Sequence, residues 1–167
     1  VVSRKAAELI KYAANAFLAT KITFINEIAN LCEKTGINVD DIAEGIGTDQ
    51  RIGSRFLRAG PAYGGSCFPK DTKALTKTSN DFKVNLSLVQ SVIRSNSNRN
   101  NLIVKKILKI AKKNHLKKIG FLGVTFKANT DDMRDSPSLL IIPKLLKNNL
   151  KISYYEPTGN KSILSKY

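Results

Sequence analysis

Tryptophan is absent from the 167-residue chain, and methionine and histidine occur once each. One histidine and two distant cysteines, Cys32 and Cys67, cannot supply a zinc site with the usual ligand spacing, so we predict no metal site. Two cysteines do not make a disulfide framework either, which favours a reducing, cytoplasmic location. No apolar run approaches the roughly 20 residues of a membrane-spanning helix, so the sequence predicts no membrane association.

Acidic residues are also few. Only 13 Asp and Glu oppose 28 Lys and Arg, which leaves a formal net charge of +15. A charge of this sign favours anionic partners, namely nucleic acid, acidic membrane surfaces or phosphorylated small molecules. Nucleic-acid recognition also needs clustered stacking or base-reading side chains. The Phe and Tyr residues fall mostly at core spacings, so a phosphorylated small molecule is the better expectation.

One segment combines reactive side chains with a constrained backbone, and it runs from Gly60 to Asp71. It places a thiol, a cation and a carboxylate within five residues, at Cys67, Lys70 and Asp71. A nearby ammonium group or a helix N-terminus lowers the pKa of a thiol and makes it nucleophilic. Asp71 could transfer a proton if its surroundings raised its pKa. The pattern favours a nucleophilic Cys67, and the alternative is a surface turn with a buried, inert cysteine.

Hydrophobic spacing predicts a mainly helical chain up to residue 115. A long first helix, from Ser3 to about Lys34, is apolar on more than one face, which is typical of a helix buried against a partner subunit. Lys11 and Asn15 are four residues apart and therefore share one face of this helix. The later helices are predicted from Asn38 or Asp40, from about Asp71 to Ser79, with Asp71 as a possible cap, and from about Leu86 to Asn114.

After residue 116 the pattern changes to strand, helix and strand. Lys118–Val124 is predicted to be a buried strand, Ser136-Pro137 begins a helix, and Ile152–Tyr155 forms the next strand. A lone pair of parallel strands leaves its edges unpaired, so we expect the opening of a larger α/β domain. The predicted fold is a mainly α-helical central dimerisation domain at 1–115, followed by an incomplete, Rossmann-like α/β domain at 116–167.

Three motifs, in this order along the chain, resemble nucleotide-sugar dehydrogenases of the UDP-glucose 6-dehydrogenase type. Glu8–Leu18 is similar to the start of the family's long central helix, and Gly64–Asp71 resembles its catalytic cysteine motif. Gly123–Lys127 with Asp131–Pro137 resembles the beginning of its UDP-binding domain. No glycine-rich dinucleotide fingerprint of the family's N-terminal Rossmann domain is found in this sequence. The expectation is therefore an internal or split piece, with a separate polypeptide as one possible source of that domain.

The resemblance implies an NAD-dependent, four-electron oxidation of the C6 alcohol of UDP-glucose to a carboxylate. Cys67 would carry a thiohemiacetal and then a thioester. Lys11 and Asn15 would stabilise the oxyanion, by charge and by hydrogen bonding respectively. Asp71 would help to activate the hydrolytic water.

The resemblance also implies binding roles. Arg51 would reach the substrate across a homodimer formed through the long first helix, and Lys127 would meet the diphosphate. At the NAD site, Lys70 would join Arg134. The other residues implied at the UDP-sugar site are Phe56, Leu57, Arg58, Tyr63, Gly64 and Phe126.

Three alternatives stay open on the sequence. The chain could be a non-catalytic dimerising remnant, a related GDP-mannose or UDP-N-acetylhexosamine dehydrogenase, or a basic nucleic-acid-binding module. Phe68 directly after the cysteine, together with the intact Lys70-Asp71 pair, is most similar to the UDP-glucose branch.

Overall fold

The computed structural model describes residues 1–160 and Ile163, and in this part of the chain five helices precede or flank a two-stranded sheet. The elements are α1 (Arg4–Thr35), α2 (Val39–Gly47), α3 (Phe68–Asp81), α4 (Ser87–Lys113), β1 (Lys118–Leu122), α5 (Pro137–Leu146) and β2 (Lys151–Tyr155). The prediction of a helical region followed by a partial α/β unit is confirmed. The predicted second domain extends to residue 167, and its residues 161, 162 and 164–167 lie outside the described residues.

Helix α1 has clear signals at both ends. The Ser3 hydroxyl accepts a hydrogen bond from the amide of Ala6 at 3.2 Å, which caps the first turn. Gly36 ends the helix in the left-handed conformation, with φ of 75°. One face of the helix packs against α3 and α4. Its buried residues are Ala16, Ala19, Thr23, Ile25, Asn26, Ala29 and Cys32.

A second apolar face of α1 is exposed in the single chain. Ile10, Phe17, Phe24 and Leu31 follow one another at intervals of seven residues, and between 49% and 65% of each is exposed. Residues seven apart lie almost above one another on a helix, so these four form one stripe. The predicted burial of α1 on several sides is therefore not reached within one chain.

Helix α3 begins earlier than the sequence indicated. Its N-cap is Cys67 and Pro69 lies in its first turn, where the fixed φ of proline suits a helix. Asp71 therefore does not cap the helix, as had been expected. Its side chain is 0% exposed and points towards α1 instead.

Strands β1 and β2 pair in parallel, with Lys118 opposite Lys151 and Leu122 opposite Tyr155. Helices α4 and α5 supply the core beneath them, chiefly through Val104, Ile141 and Leu145. The prediction of a buried strand reaching Val124 is wrong, because β1 ends at Leu122 and alternates between exposed and half-buried residues. Only one sheet face is covered, so the other side chains of β1 remain in solvent.

The carboxylate of Glu156, just after β2, holds the loop that follows β1. It accepts hydrogen bonds from the amides of Val124 at 2.8 Å, Thr125 at 3.2 Å and Thr158 at 2.9 Å. Hydrogen bonds from the amides of Val124, Thr158 and Gly159, that of Val124 first, lower the pKa of Glu156 from 4.5 to about 2. The ionised carboxylate therefore fixes the start of the loop at Gly123–Lys127.

Replacing this carboxylate should weaken the α/β part of the chain. We expect Glu156→Gln to lower the free energy of unfolding by about 2 kcal/mol at pH 7, since a charged acceptor is lost from buried backbone donors. The folded-state pKa lies below the unfolded value, so this stabilisation is complete above about pH 4.5 and is lost as the pH falls towards about 2. Urea titrations of both chains between pH 7 and pH 2 measure the difference. Glu8→Gln, at an exposed position of α1, is the matched control. A difference in unfolding free energy between Glu156→Gln and wild type that does not change with pH would contradict the lowered pKa of Glu156.

Candidate active site

Cys67 lies at the N-terminal end of α3, with its thiol exposed. The positive end of the helix dipole therefore lies at this residue. The alternative of a buried cysteine therefore does not hold for Cys67, whereas Cys32 on α1 is buried.

Behind Cys67, the buried carboxylate of Asp71 gathers three side chains. Asn15 on α1 donates to Asp71 Oδ2 at 2.6 Å, and Lys11 Nζ lies 3.8 Å from the same oxygen. Lys70 Nζ bonds to the other oxygen, Oδ1. The structure thus brings together all four polar residues that the sequence connected with Cys67 chemistry, from α1 and α3.

The charge state of Asp71 follows from these contacts. Burial by itself would raise the pKa of Asp71, but hydrogen bonds from Lys70 and Asn15 and the charges of Lys70 and Lys11 outweigh it, and the pKa is lowered. The hydrogen bond to Asp71 raises the pKa of Lys70 in turn. Asp71 is therefore ionised at neutral pH, without the raised pKa that proton transfer by this group would need. Two ammonium groups around one carboxylate leave the cluster positive, which suits a nearby thiolate or oxyanion.

A cavity of about 370 Å³ opens between the chain before Cys67 and the loop after β1, and Phe68 in the first turn of α3 lines it. Arg58 and Lys127 bring positive charge to its wall, and most of the remaining lining is apolar. A wall of this kind suits an aromatic base joined to phosphates. Six residues that the sequence connected with substrate line this cavity: Phe56, Arg58, Tyr63, Gly64, Phe126 and Lys127.

Aromatic rings join this cavity to the helix that carries the thiol. Phe68, the residue after Cys67, lies edge-on to both Phe56 and Tyr63, with ring centroids 6.0 Å apart in each pair. On the opposite wall, Lys127 Nζ lies 5.4 Å from the centre of the Phe126 ring. Packing of Phe68 therefore couples the cavity wall to the position of Cys67.

Two of the predicted substrate residues lie elsewhere. Leu57 is buried under a separate groove of about 320 Å³, which also contains Arg51 and the exposed stripe residues Phe17 and Phe24. Arg51 binds Asp49, with Nη2 2.6 Å from Oδ2. Within one chain, neither residue reaches the cavity lined by Lys127.

Arg134 lies on the Cys67 side of the loop after β1. Its guanidinium bonds Asp132, with Nη2 2.8 Å from Oδ2, and its carbonyl accepts the amide of Gly65 at 2.9 Å. The hydrogen bond with Asp132 raises the pKa of Arg134, and the charge of Cys67 adds a small contribution. Arg134 therefore presents a fixed, exposed cation near the thiol.

The adjacent glycines before Cys67 allow the loop after β1 to pack closely against this segment. Gly65 has φ of 81°, and a Cβ placed there would lie 2.7 Å from two carbons of the Phe126 ring. A Cβ on Gly64 would collide with the carbonyl oxygen of Asp135. The space that a side chain would occupy at either glycine is therefore taken by residues of the α/β unit.

Sequence reasoning missed several residues that hold the site in place. Asn26, Asn96 and Arg99 bond the backbone before Cys67, and Glu156 fixes the loop of Phe126. Polar residues on a long helix usually indicate a solvated face, so no spacing signal distinguished Asn96 or Arg99. Among the described residues no cluster of three or more His, Cys, Asp or Glu could hold a metal ion, and no helix there is both long and apolar enough to cross a membrane.

Comparison with known proteins identifies the family. The family model "UDP-glucose/GDP-mannose dehydrogenase family, central domain" matches residues 5–98, which is more than half of the chain. The chain belongs to the UDP-glucose/GDP-mannose dehydrogenase family. The model of the family's UDP binding domain matches residues 120–167, so the resemblance inferred from the three motifs is confirmed.

Relatives within the family cover nearly all of this chain. A UDP-glucose 6-dehydrogenase of Rhizobium meliloti (strain 1021) is 54% identical over 158 residues, which is 94% of this chain and 36% of that protein. One from Bacillus subtilis (strain 168) is 50% identical over 153 residues, 92% of this chain and 35% of that protein. This chain therefore spans little more than a third of the length of these relatives.

Solved structures of the family have the same fold. A UDP-glucose dehydrogenase from the hyperthermophilic archaeon Pyrobaculum islandicum matches with a TM-score of 0.90 and 32% identity, over 99% of this chain and 38% of that one. A UDP-D-ManNAc dehydrogenase from Pyrococcus horikoshii matches with a TM-score of 0.81 and 27% identity, over 93% of this chain and 37% of that one.

The close approach at Gly65 gives a test of the contact between the two parts of the chain. We expect Gly65→Ala to lower the free energy of unfolding by about 1–3 kcal/mol, because a methyl group enters the Phe126 ring and the positive φ becomes strained. Urea unfolding followed by circular dichroism measures the loss. Gly45→Ala is the control, since nothing lies within 4 Å of a Cβ there and the residue is helical. Equal stability of Gly65→Ala and Gly45→Ala would contradict the contact.

Proposed function

We propose that this chain carries the nucleophile and the UDP-binding face for the NAD-dependent oxidation of UDP-glucose to UDP-glucuronate. The observation that carries the proposal is the exposed Cys67 at the start of α3, backed by the Asp71 cluster and adjoining the cavity that contains Lys127. The names of the curated relatives, at about half identity over nearly the whole chain, support UDP-glucose as the substrate.

The cavity suits the nucleotide part of such a substrate. Phe56 and Phe126 offer aromatic surface for a base, and Lys127 and Arg58 offer cations for the diphosphate. The sugar then extends towards Cys67, because Phe68 joins the cavity wall to the first turn of α3.

Cys67 takes part once the C6 alcohol has become an aldehyde. Its thiolate adds to the aldehyde carbon and forms a thiohemiacetal, and the negative oxygen is stabilised by Lys11 and Asn15. Loss of a second hydride turns this adduct into a thioester. Water then attacks the thioester carbon, which gives the carboxylate and releases the Cys67 thiol. Asp71, being ionised, holds Lys11 and Asn15 in place and can accept a hydrogen bond from that water.

Two side chains of this chain, Lys70 and Arg134, are suited to bind part of NAD. Lys70 and Arg134 are exposed cations beside Cys67, and their charge suits the phosphates of NAD. The glycine-rich turn that binds a dinucleotide is not found in this sequence, so the other contacts come from outside these residues. When bound, NAD+ supplies the hydride acceptor for both two-electron oxidations.

The exposed stripe of α1 supports a homodimer. Ile10, Phe17, Phe24 and Leu31 leave a continuous apolar surface in water, and a second copy of α1 would cover it. The groove that contains Arg51 adjoins Phe17 and Phe24. Pairing through this stripe would therefore bring Arg51 to the partner, as its proposed role in substrate binding requires.

The catalytic proposal is tested by NADH formation from UDP-glucose, measured by absorbance for the chain alone and for the chain mixed with a separately produced Rossmann domain. We expect turnover in the mixture and a loss of roughly 10³-fold or more in Cys67→Ser, because the covalent intermediate cannot form. The matched control is Cys32→Ala, which removes the buried thiol and should keep activity.

Two outcomes would contradict this proposal. Turnover of Cys67→Ser at the wild-type rate would exclude the nucleophile. A wild-type mixture that binds UDP-glucose but forms no NADH would favour the non-catalytic alternative.

The dimer proposal predicts that a charge in the stripe separates the subunits. We expect Phe17→Asp to sediment as a monomer while wild type sediments as a dimer, because a buried, unpaired carboxylate opposes association. Analytical ultracentrifugation at several concentrations measures this difference. Phe82→Asp is the control, since Phe82 is equally apolar and exposed but lies after α3, and a dimeric Phe17→Asp would refute the interface.

A further inference from the structure

Two side chains of α4 hold the segment that leads to Cys67. We name Gly60–Gly65 the approach segment. The Asn96 side chain binds both backbone groups of Tyr63: its Oδ1 accepts the Tyr63 amide at 2.8 Å, and its Nδ2 donates to the Tyr63 carbonyl at 3.0 Å. One side chain therefore fixes the middle of the approach segment in two directions.

Arg99, one turn further along α4, holds the start of the same segment. Its Nε donates to the Gly60 carbonyl, and its Nη1 donates to the backbone carbonyl of Asn26 at 2.7 Å and to Asn30 Oδ1 at 2.9 Å. Asn26 Oδ1 accepts the Gly60 amide at 2.8 Å. Gly60 is thus bound on both sides, through α1 and α4 together.

If Arg99 served only to pack α1 against α4, the burial of its charge would be energetically unfavourable. Arg99 is only 9% exposed, and no carboxylate of the described residues lies within ion-pair distance of it. Burial lowers the pKa of Arg99, with partial compensation from the charge of Glu33. An apolar side chain would join α1 to α4 without burying a cation. The guanidinium supplies what an apolar residue cannot, namely donors aimed at the Gly60 and Asn26 carbonyls.

The approach segment is a wall of the cavity. Gly60, Tyr63 and Gly64 line it, whereas Asn96 and Arg99 do not. The Tyr63 ring packs on Phe68, and the Gly65 amide bonds the carbonyl of Arg134. A shift of Gly60 or Tyr63 would therefore change the shape of the cavity and its position relative to the first turn of α3.

We infer that Asn96 and Arg99 are positioning residues that preform the cavity wall for the UDP portion of the substrate. The inference rests on the proposed function and adds two residues that act through the approach segment without touching the ligand. A preformed wall binds the UDP portion more tightly, because no binding energy is spent on ordering the approach segment.

The test measures UDP binding by isothermal titration calorimetry and hydrogen exchange of the approach segment by mass spectrometry. We expect Asn96→Ala to weaken UDP binding about tenfold, or about 1.4 kcal/mol, and to speed exchange at 60–65. Asn96→Asp, which keeps the acceptor but loses the donor, should fall between Asn96→Ala and wild type. Asn98→Ala, on an exposed position of the same helix, is the matched control and should leave both measurements unchanged.

Several results would overturn the inference. Unchanged exchange in Asn96→Ala would show that the segment does not depend on this side chain. Faster exchange with unchanged UDP affinity would show that the bonds serve stability only. If Asn96→Ala does not fold, Arg99→Lys is tested instead. Lysine keeps one donor for the Gly60 carbonyl but loses the bonds of Nη1 to Asn26 and Asn30. An unchanged UDP affinity of Arg99→Lys would also refute the positioning role. Absence of UDP binding by the wild-type chain would refute the proposed function instead, and the exchange rates alone would then decide whether Asn96 and Arg99 hold the segment.

Discussion

The buried carboxylate of Asp71 is the group on which the rest of the site depends. A carboxylate with no exposed surface is stable only where hydrogen bonds and opposite charges replace water, and here Asn15, Lys11 and Lys70 do so. Because two of these partners come from α1, the same interaction fixes how α3 lies against α1. Cys67, exposed at the N-terminal end of α3, is thereby held close to the face of α1 that carries Lys11 and Asn15.

The second constraint is the joining of two parts of the chain across the glycine pair. The loop after β1 can lie on the approach segment only because Gly64 and Gly65 have no side chains. Glu156 holds that loop from the far end by binding its backbone amides. The cavity therefore belongs to neither part alone. Asn96 and Arg99 hold its wall on one side, and Glu156 holds it on the other.

Local signals were sufficient for most elements of the fold. Ser3 and Gly36 mark the ends of α1, and Pro137 marks the start of α5, because capping and proline chemistry act over a few residues. The start of α3 was missed because a capping carboxylate and a buried one look alike in sequence. The burial of β1 was overestimated because an apolar run does not reveal that only one sheet face is covered.

The sequence by itself determined the order of the elements, the family motifs and the reactive groups, since these depend on residue type and short spacing. Only the tertiary structure decided that Asn15 and Asp71, 56 residues apart, share a hydrogen bond, and that the pKa of Asp71 is lowered. It also decided that Arg51 and Leu57 lie away from the cavity while Asn96 and Arg99 support its wall. The physical reason is that burial, charge proximity and backbone contacts arise from helix packing, which brings together residues that are far apart in the chain.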